Sequence, residues 1–451
     1  MPVFFAPRAL LAAGWQENVL IDIDAAGFIT ALTPNSAPGT ATPLAGAVIP
    51  AMANLHSHAF QRAMAGLAEV AGDPQDSFWT WRDLMYRMVQ RLSPEQVGAI
   101  ATQLYIDMLK GGYSQVAEFH YLHHDPHGQP YADDAMVQQL MAAAAHAGIG
   151  QTLLPVLYSY SGFGSQPASS GQRRFIQQTD AYLQQQQRVA NWTADQPLLN
   201  HGICFHSLRA VNEAQMHEVL AACPHDLPVH IHVAEQEKEI NDSLAWSGER
   251  PVAWLLKRFE VDPRWCLIHA THLDDEEIAR MAASGAIAGL CPTTEANLGD
   301  GIFPAVDYIA RGGRWGIGSD SHVSLSALEE LRWLEYGQRL RDRRRNRITL
   351  PDQPSVGDLL WQQAASGGAQ ACGIQAGELA VGKRADWLVL EQDTFLASVS
   401  SASLLNRWLF GGQSSQIRDV FVAGQQMIAQ GHHAHEAAAA AGFAAAMRAL
   451  Q

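Results

Sequence analysis

Two histidines one residue apart, His56 and His58, close the apolar run Val48-Ile49-Pro50-Ala51-Met52-Ala53-Asn54-Leu55. Side chains alternate faces along an extended strand, so the pair points one way and can offer two imidazole nitrogens to a single ion. Taken alone, the two could equally serve as buried hydrogen-bonding residues. Ionisable groups recur, however, at the ends of other short apolar runs: Glu118 and His120 before Tyr121, His123 and His124; His206 before Arg209; His230 and His232 before Glu235; His269 before His272; and Asp320 after Gly318-Ser319. Of these, His56, His58, His232 and Asp320 make a sensible mononuclear donor set. Its imidazole nitrogens and carboxylate oxygen suit zinc and are tolerable for Fe2+ or Mn2+. Each has a plainer reading as well: His232 as a satisfied neighbour of His230, Asp320 as a helix cap.

The elements that must position these groups are short strands alternating with helical stretches, the pattern of repeated β/α units. Candidate strands are 47–54, 115–121, 151–157, 202–205, 229–233, 265–269, 286–291 and 315–319, the number a closed (β/α)8 barrel of TIM type requires. Chemistry in such a barrel sits at the carboxyl ends of the strands, where the ionisable groups fall. The expected division is a catalytic barrel over 48–372, flanked by residues 1–47 and 373–451, which build one small β-sandwich-like domain from both termini. Residues 66–91, rich in aromatics and methionine, form an insertion after the first strand and read as a helical lid. Ser93-Pro94-Glu95-Gln96 predicts a capped helix start. The Ala-rich stretch 434–450 predicts a docked tail helix.

Composition excludes several classes of function. Apolar residues make up 47% of the 451 and charged residues 17%, so the chain folds around a sizeable core. A formal charge of −15 argues against a nucleic-acid partner. The basic cluster of Arg339, Arg341, Arg343, Arg344, Arg345 and Arg347 is interleaved with Asp342 and reads as a solvated helix end. The five cysteines are widely spaced with no C-x-x-C, which suits a reducing cytoplasm. No membrane-spanning segment or convincing signal peptide is present in the sequence. A cytoplasmic homodimer acting on a small molecule is expected.

The His56-Ser57-His58 motif, the run Val229 to Glu235, His269, the Gly318-Ser319-Asp320 terminus and the turn Gly382-Lys383-Arg384-Ala385-Asp386 together resemble the amidohydrolase superfamily. Along its whole length the chain is similar to the formimidoylglutamate deiminases within it. That resemblance implies hydrolysis of N-formimidoyl-L-glutamate to N-formyl-L-glutamate and ammonia, in histidine degradation. It makes His56, His58, His232 and Asp320 the metal ligands and gives Glu235, His269 and Asp320 the proton-transfer and polarising roles. No lysine stands where it could bridge two ions, Lys110 lying in a helix, so one divalent ion per subunit is expected. A glutamate substrate calls for guanidinium forks on its carboxylates. Arg209 and Arg82 are the candidates, with Gln61, Tyr121 and His206 completing the polar shell. The same metal chemistry would serve a deaminase of purine, pyrimidine or triazine rings, whose pocket would be flatter and more aromatic. A non-catalytic metal-binding barrel is a third reading, disfavoured because structural sites close their coordination and need no proton shuttle.

Overall fold

The computed structural model describes residues 2–70 and 77–450. Eight parallel strand positions close on themselves. Met52–Ser57, Tyr113–His120 and Gly150–Pro155 pair in order with the short Leu199–His201. Ile203–Ser207, Val229–Val233, Trp265–His269, Ile287–Leu290 and Arg314–Ile317 form a second parallel arc. Two parallel bridges join the arcs, Leu157 to Phe205 and Ser57 to Asp320. Leu199–His201 and Ile203–Ser207 are one strand position interrupted at Gly202, so the pairing closes an eight-position (β/α)8 barrel.

The final seam determines the site. Asn54 donates through Nδ2 to Ser319 Oγ at 2.7 Å and accepts the Ser319 amide at 3.0 Å. The Asp320 amide donates to the His56 carbonyl at 3.0 Å, and the His58 amide to the Asp320 carbonyl at 3.3 Å. Barrel closure therefore brings residues 264 positions apart, His56 and Asp320, to neighbouring strand ends.

Two expectations about elements change. The strand expected over 47–54 is two strands: Ala47–Pro50 lies between strands Val3–Leu11 and Trp387–Leu390, and only Met52–Ser57 enters the barrel. Pro50 has no amide proton for a continuing ladder, so the chain can change sheets there. Helix Val356–Ala371 is an element that the alternation did not predict. Its Gly367-Gly368 pair masks the helical signal yet permits its docking. A Cβ on Gly367 would stand 1.8 Å from the Trp315 carbonyl oxygen, and one on Gly368 2.7 Å from that of Ala53.

Strands from both termini form a single sheet. It runs from the His432–His433 edge through Ile417–Val422, Trp387–Leu390 and Ala47–Pro50 to Val3–Leu11, Gly14–Ile23 and Ile29–Thr33. Its own core includes Phe4, Val19, Ile21, Val48, Trp387 and Phe421. The insertion is described at 66–70 and 77–91, where Phe78–Val89 is helical with a Ser77 cap; residues 71–76 lie outside the described residues. Helix Glu436–Leu450 docks on helix Pro94–Lys110, and Lys110 Nζ meets Glu436 Oε2 at 2.5 Å. Among the described residues no helix is long and apolar enough to cross a membrane.

Candidate active site

At the carboxyl end of the barrel the imidazoles converge. His56 Nε2 lies 3.0 Å from His232 Nε2 and 3.4 Å from Asp320 Oδ1, and His58 Nε2 lies 3.4 Å from the same oxygen. His58 Nδ1 stands 2.8 Å from the Phe119 carbonyl, the partner that fixes a ring with Nδ1–H as donor and Nε2 as lone pair. Phe119 also lays its ring 4.2 Å from that of His232 and 4.9 Å from that of His56, between centroids, walling the cluster with apolar surface.

Burial disfavours the charged imidazole. It lowers His56 to about 3 and holds His58 and His232 below the ordinary histidine range. Burial opposes ionisation of Asp320 too, but the His56 hydrogen bond and the neighbouring imidazoles outweigh it and hold the carboxyl below its usual range. Three neutral imidazoles and one carboxylate therefore gather their donor atoms in one spot. That is the protonation state a divalent ion demands of its ligands, so the donor set fits one.

Glu235 and His269 flank this cluster. Glu235 follows strand Val229–Val233, and its backbone is clamped by Glu239, which accepts from the Ala234 amide at 3.0 Å and the Glu235 amide at 3.3 Å. Burial pushes its carboxyl up to about 7. His269 Nε2 lies 3.6 Å from Glu235 Oε1 and 3.7 Å from Asp320 Oδ2, while Nδ1 lies 3.2 Å from Glu295 Oε1. Burial alone would lower His269; the Glu235, Glu295 and Asp320 carboxylates reverse that and raise it to about 10. Ala234, His269, Ala270 and Asp320 all have φ between 46° and 68°, so the chain leaves three strands through left-handed backbone costly for residues with a Cβ.

A cavity opens above these groups, lined by His58, His232, Glu235, His269 and Asp320 below and by Phe78, Trp81, Arg82, Met85 and Tyr86 of the insertion helix above. Gln61, Tyr121, His206 and Arg209 line its side, Gln61 Nε2 donating to Tyr121 Oη at 3.0 Å. The Nε atoms of Arg82 and Arg209 are buried with no hydrogen-bond partner among the described residues. Trp79 lies near both guanidinium groups, 4.6 Å from that of Arg82 and 5.6 Å from that of Arg209.

Residues 47–427 match the amidohydrolase family, and residues 1–43 match the family described as the N-terminal domain of formimidoylglutamate deiminase HutF. A formimidoylglutamate deiminase from Pseudomonas aeruginosa is 61% identical over 98% of this chain and 98% of its own. The chain belongs to the amidohydrolase family, among its formimidoylglutamate deiminases. The crystal structure of an amidohydrolase from Brucella melitensis superposes with a TM-score of 0.95 at 44% identity, covering both chains completely. A zinc-bound adenosine deaminase from Xanthomonas campestris shares the amidohydrolase fold, with a TM-score of 0.81 at 21% identity over 99% of this chain and 98% of that one. Amidohydrolases are metal-dependent, in keeping with the buried His/Asp donors here.

The structure thus gathers all eleven of the residues singled out from sequence around one cavity; His56 lies beneath it, behind His58 and His232. Other histidines serve elsewhere. His230 Nε2 stands 2.8 Å from the Ala371 carbonyl deeper in the barrel, and His322 stands 2.9 Å from Ser319 Oγ and 3.3 Å from Ser57 Oγ at the closing seam. Sequence reasoning missed Glu295, which lies against His269, and Asp300, close to both Glu235 and His269. No motif marks them: they follow the seventh strand, whose run, like that of the third, contains no histidine.

Proposed function

We infer that this amidohydrolase hydrolyses N-formimidoyl-L-glutamate to N-formyl-L-glutamate and ammonia. The observation that carries the reading is the pair of buried guanidinium Nε atoms, on Arg82 and Arg209, unpartnered in the cavity that holds the imidazole cluster. Buried donors without acceptors are costly, and two carboxylates would satisfy both. A flat, neutral ring would leave them unpaired.

His56, His58, His232 and Asp320 would hold one divalent ion, and zinc is the best match to three imidazoles and a carboxylate. Bound there, the ion would supply a Lewis acid that brings the pKa of water near neutrality. Asp320, ionised, accepts the first proton of the attacking water as its oxygen joins the formimidoyl carbon. Glu235, protonated, donates to the imino nitrogen, making it an amine. When the carbon–nitrogen bond breaks, Asp320 returns its proton to that nitrogen and Glu235 takes the hydroxyl proton as the carbonyl forms. Ammonia leaves neutral, and both carboxyl groups regain their starting states. His269, charged, donates to the tetrahedral oxygen and keeps the two carboxyl groups in place. Arg209 and Arg82 bind the glutamate carboxylates, with Gln61, Tyr121 and His206 hydrogen-bonding around them. The same reading places the enzyme in the cytoplasm, where its five buried free thiols remain reduced, as a homodimer.

The test is ammonia release across N-formimidoyl-L-glutamate, N-carbamoyl amino acids, guanine and cytosine. Turnover confined to the first compound supports the reading. Robust turnover of a ring with none on the first compound overturns it.

A further inference from the structure

Next to the four-donor cluster is a second group of donors. One carboxylate oxygen of Asp300, one of Glu235 and a ring nitrogen of His269 lie within 4.8 Å of one another, all buried. Asp300 is 5% exposed. Its Oδ1 accepts from Gln236 Nε2, and its backbone carbonyl lies 2.8 Å from His272 Nε2, so it ties the loops after the fifth and sixth barrel strands together. Its Oδ2 is buried and has no hydrogen-bond partner among the described residues. Thr271 Oγ1, on the adjoining loop, is also buried and unpartnered. The two loops meet at Gly301, where a Cβ would come 3.3 Å from Thr271 Cγ2.

The charge count is unbalanced. Glu235, Glu295 and Asp300, together with Asp320, set four carboxyl groups around the single imidazole of His269. A buried anion must be paired, protonated or bound to a cation. Burial and the neighbouring Glu235 raise Asp300 to about 9, so protons supply the balance when no cation is near. One imidazole and two carboxylates are also a three-ligand set that leaves a position open on a zinc-like ion.

We propose that Glu235, His269 and Asp300 form a second divalent-cation site, which fills when the ion is in excess and inhibits turnover. Filling it displaces protons from the carboxyl groups and from the His269 imidazolium, and occupies Glu235 and His269. The inhibition rests on the catalytic roles given to those two residues under Proposed function; the binding of the ion does not.

The test titrates the full-length, metal-stripped protein with Co2+. Bound ions are counted by equilibrium dialysis against known free Co2+, the visible absorbance is followed, and turnover is measured at the same free concentrations. The wild type should bind a tight ion that switches turnover on and a weaker one that lowers it. Asp300→Asn should keep turnover at one equivalent and lose the inhibition. Its second-ion affinity should fall by more than about tenfold, the least that loss of even an outer-shell partner costs. A wild type that binds one ion, or whose turnover is unchanged when a second binds, overturns the proposal whether or not the variant folds. Unchanged inhibition in a folded Asp300→Asn does so too. Absence of turnover with the first ion counts against the proposed function, while the ion count still decides the second site.

Discussion

Near neutrality Glu235 is divided between its two protonation states, because burial has raised its carboxyl to about 7. As the donor to the imino nitrogen it must start protonated, a form that predominates below that pH and is lost above it. The pH profile of kcat/KM, which reports ionisations of the free enzyme, should therefore fall as pH rises through about 7 with the slope of one ionisation. Glu235→Gln should remove that limb and lower kcat by roughly 10²–10⁴, while ion binding at His56, His58, His232 and Asp320 persists. Arg209→Met should act differently, raising KM for N-formimidoyl-L-glutamate far more than it lowers kcat, since it removes a carboxylate contact distant from the reacting carbon. At this scale the sequence was informative wherever a strand ends in histidine. Alternation gives His56 and His58 a common face, and barrel logic links them to His232 and Asp320. It was silent about Glu295 and Asp300. Only the seventh strand's exit and the loop beyond it place those carboxylates near His269, and no periodicity encodes where such a loop folds.

At the scale of elements, two helices carry most of what the sequence left hidden. Helix Val356–Ala371 has a glycine pair toward its C-terminal end, which lowers intrinsic helicity but lets its backbone press against the Trp315 and Ala53 carbonyls. Gly367→Ala should destabilise the protein by about 1–3 kcal/mol through overpacking, read as a lower midpoint in chemical unfolding. The insertion helix Phe78–Val89 was foreseen as an element, but its role as the cavity's roof follows from how it docks. Trp79 is the joint: its ring lies within 5.6 Å of the cationic ends of Arg82, Arg209 and Lys238. Trp79→Ala should raise KM and leave unfolding nearly unchanged, because the ring orders the arginines without being part of the main core.

The whole molecule depends on the fit between the terminal sheet and the barrel, and the Gly382 to Asp386 turn lies at that junction. Arg384 donates to Asp386 from Nε at 3.0 Å and from an Nη nitrogen at 2.6 Å, and also to Gln115 Oε1 at 3.0 Å. Asp386 in turn accepts from Ser114 Oγ at 2.8 Å and the Ala423 amide at 2.8 Å. Both side chains are buried, so Asp386→Ala leaves a guanidinium charge without its partner. That change should cost about 3–5 kcal/mol, visible as a large drop in unfolding midpoint with the ion-loaded site still formed in the folded fraction. The sequence shows such a turn but not its partners, two of which, Ser114 and Gln115, arrive from a strand more than 250 residues away. What remains central is the claim that one ion, held by this chain's histidines and Asp320, works with two arginines on a glutamate-derived amidine. The most direct measurement is ammonia released from N-formimidoyl-L-glutamate by protein stripped of metal and then given Zn2+ stepwise to one equivalent. Turnover should be absent at the start and rise in proportion to bound Zn2+. Undiminished turnover after complete stripping, or none after full loading, would contradict the account.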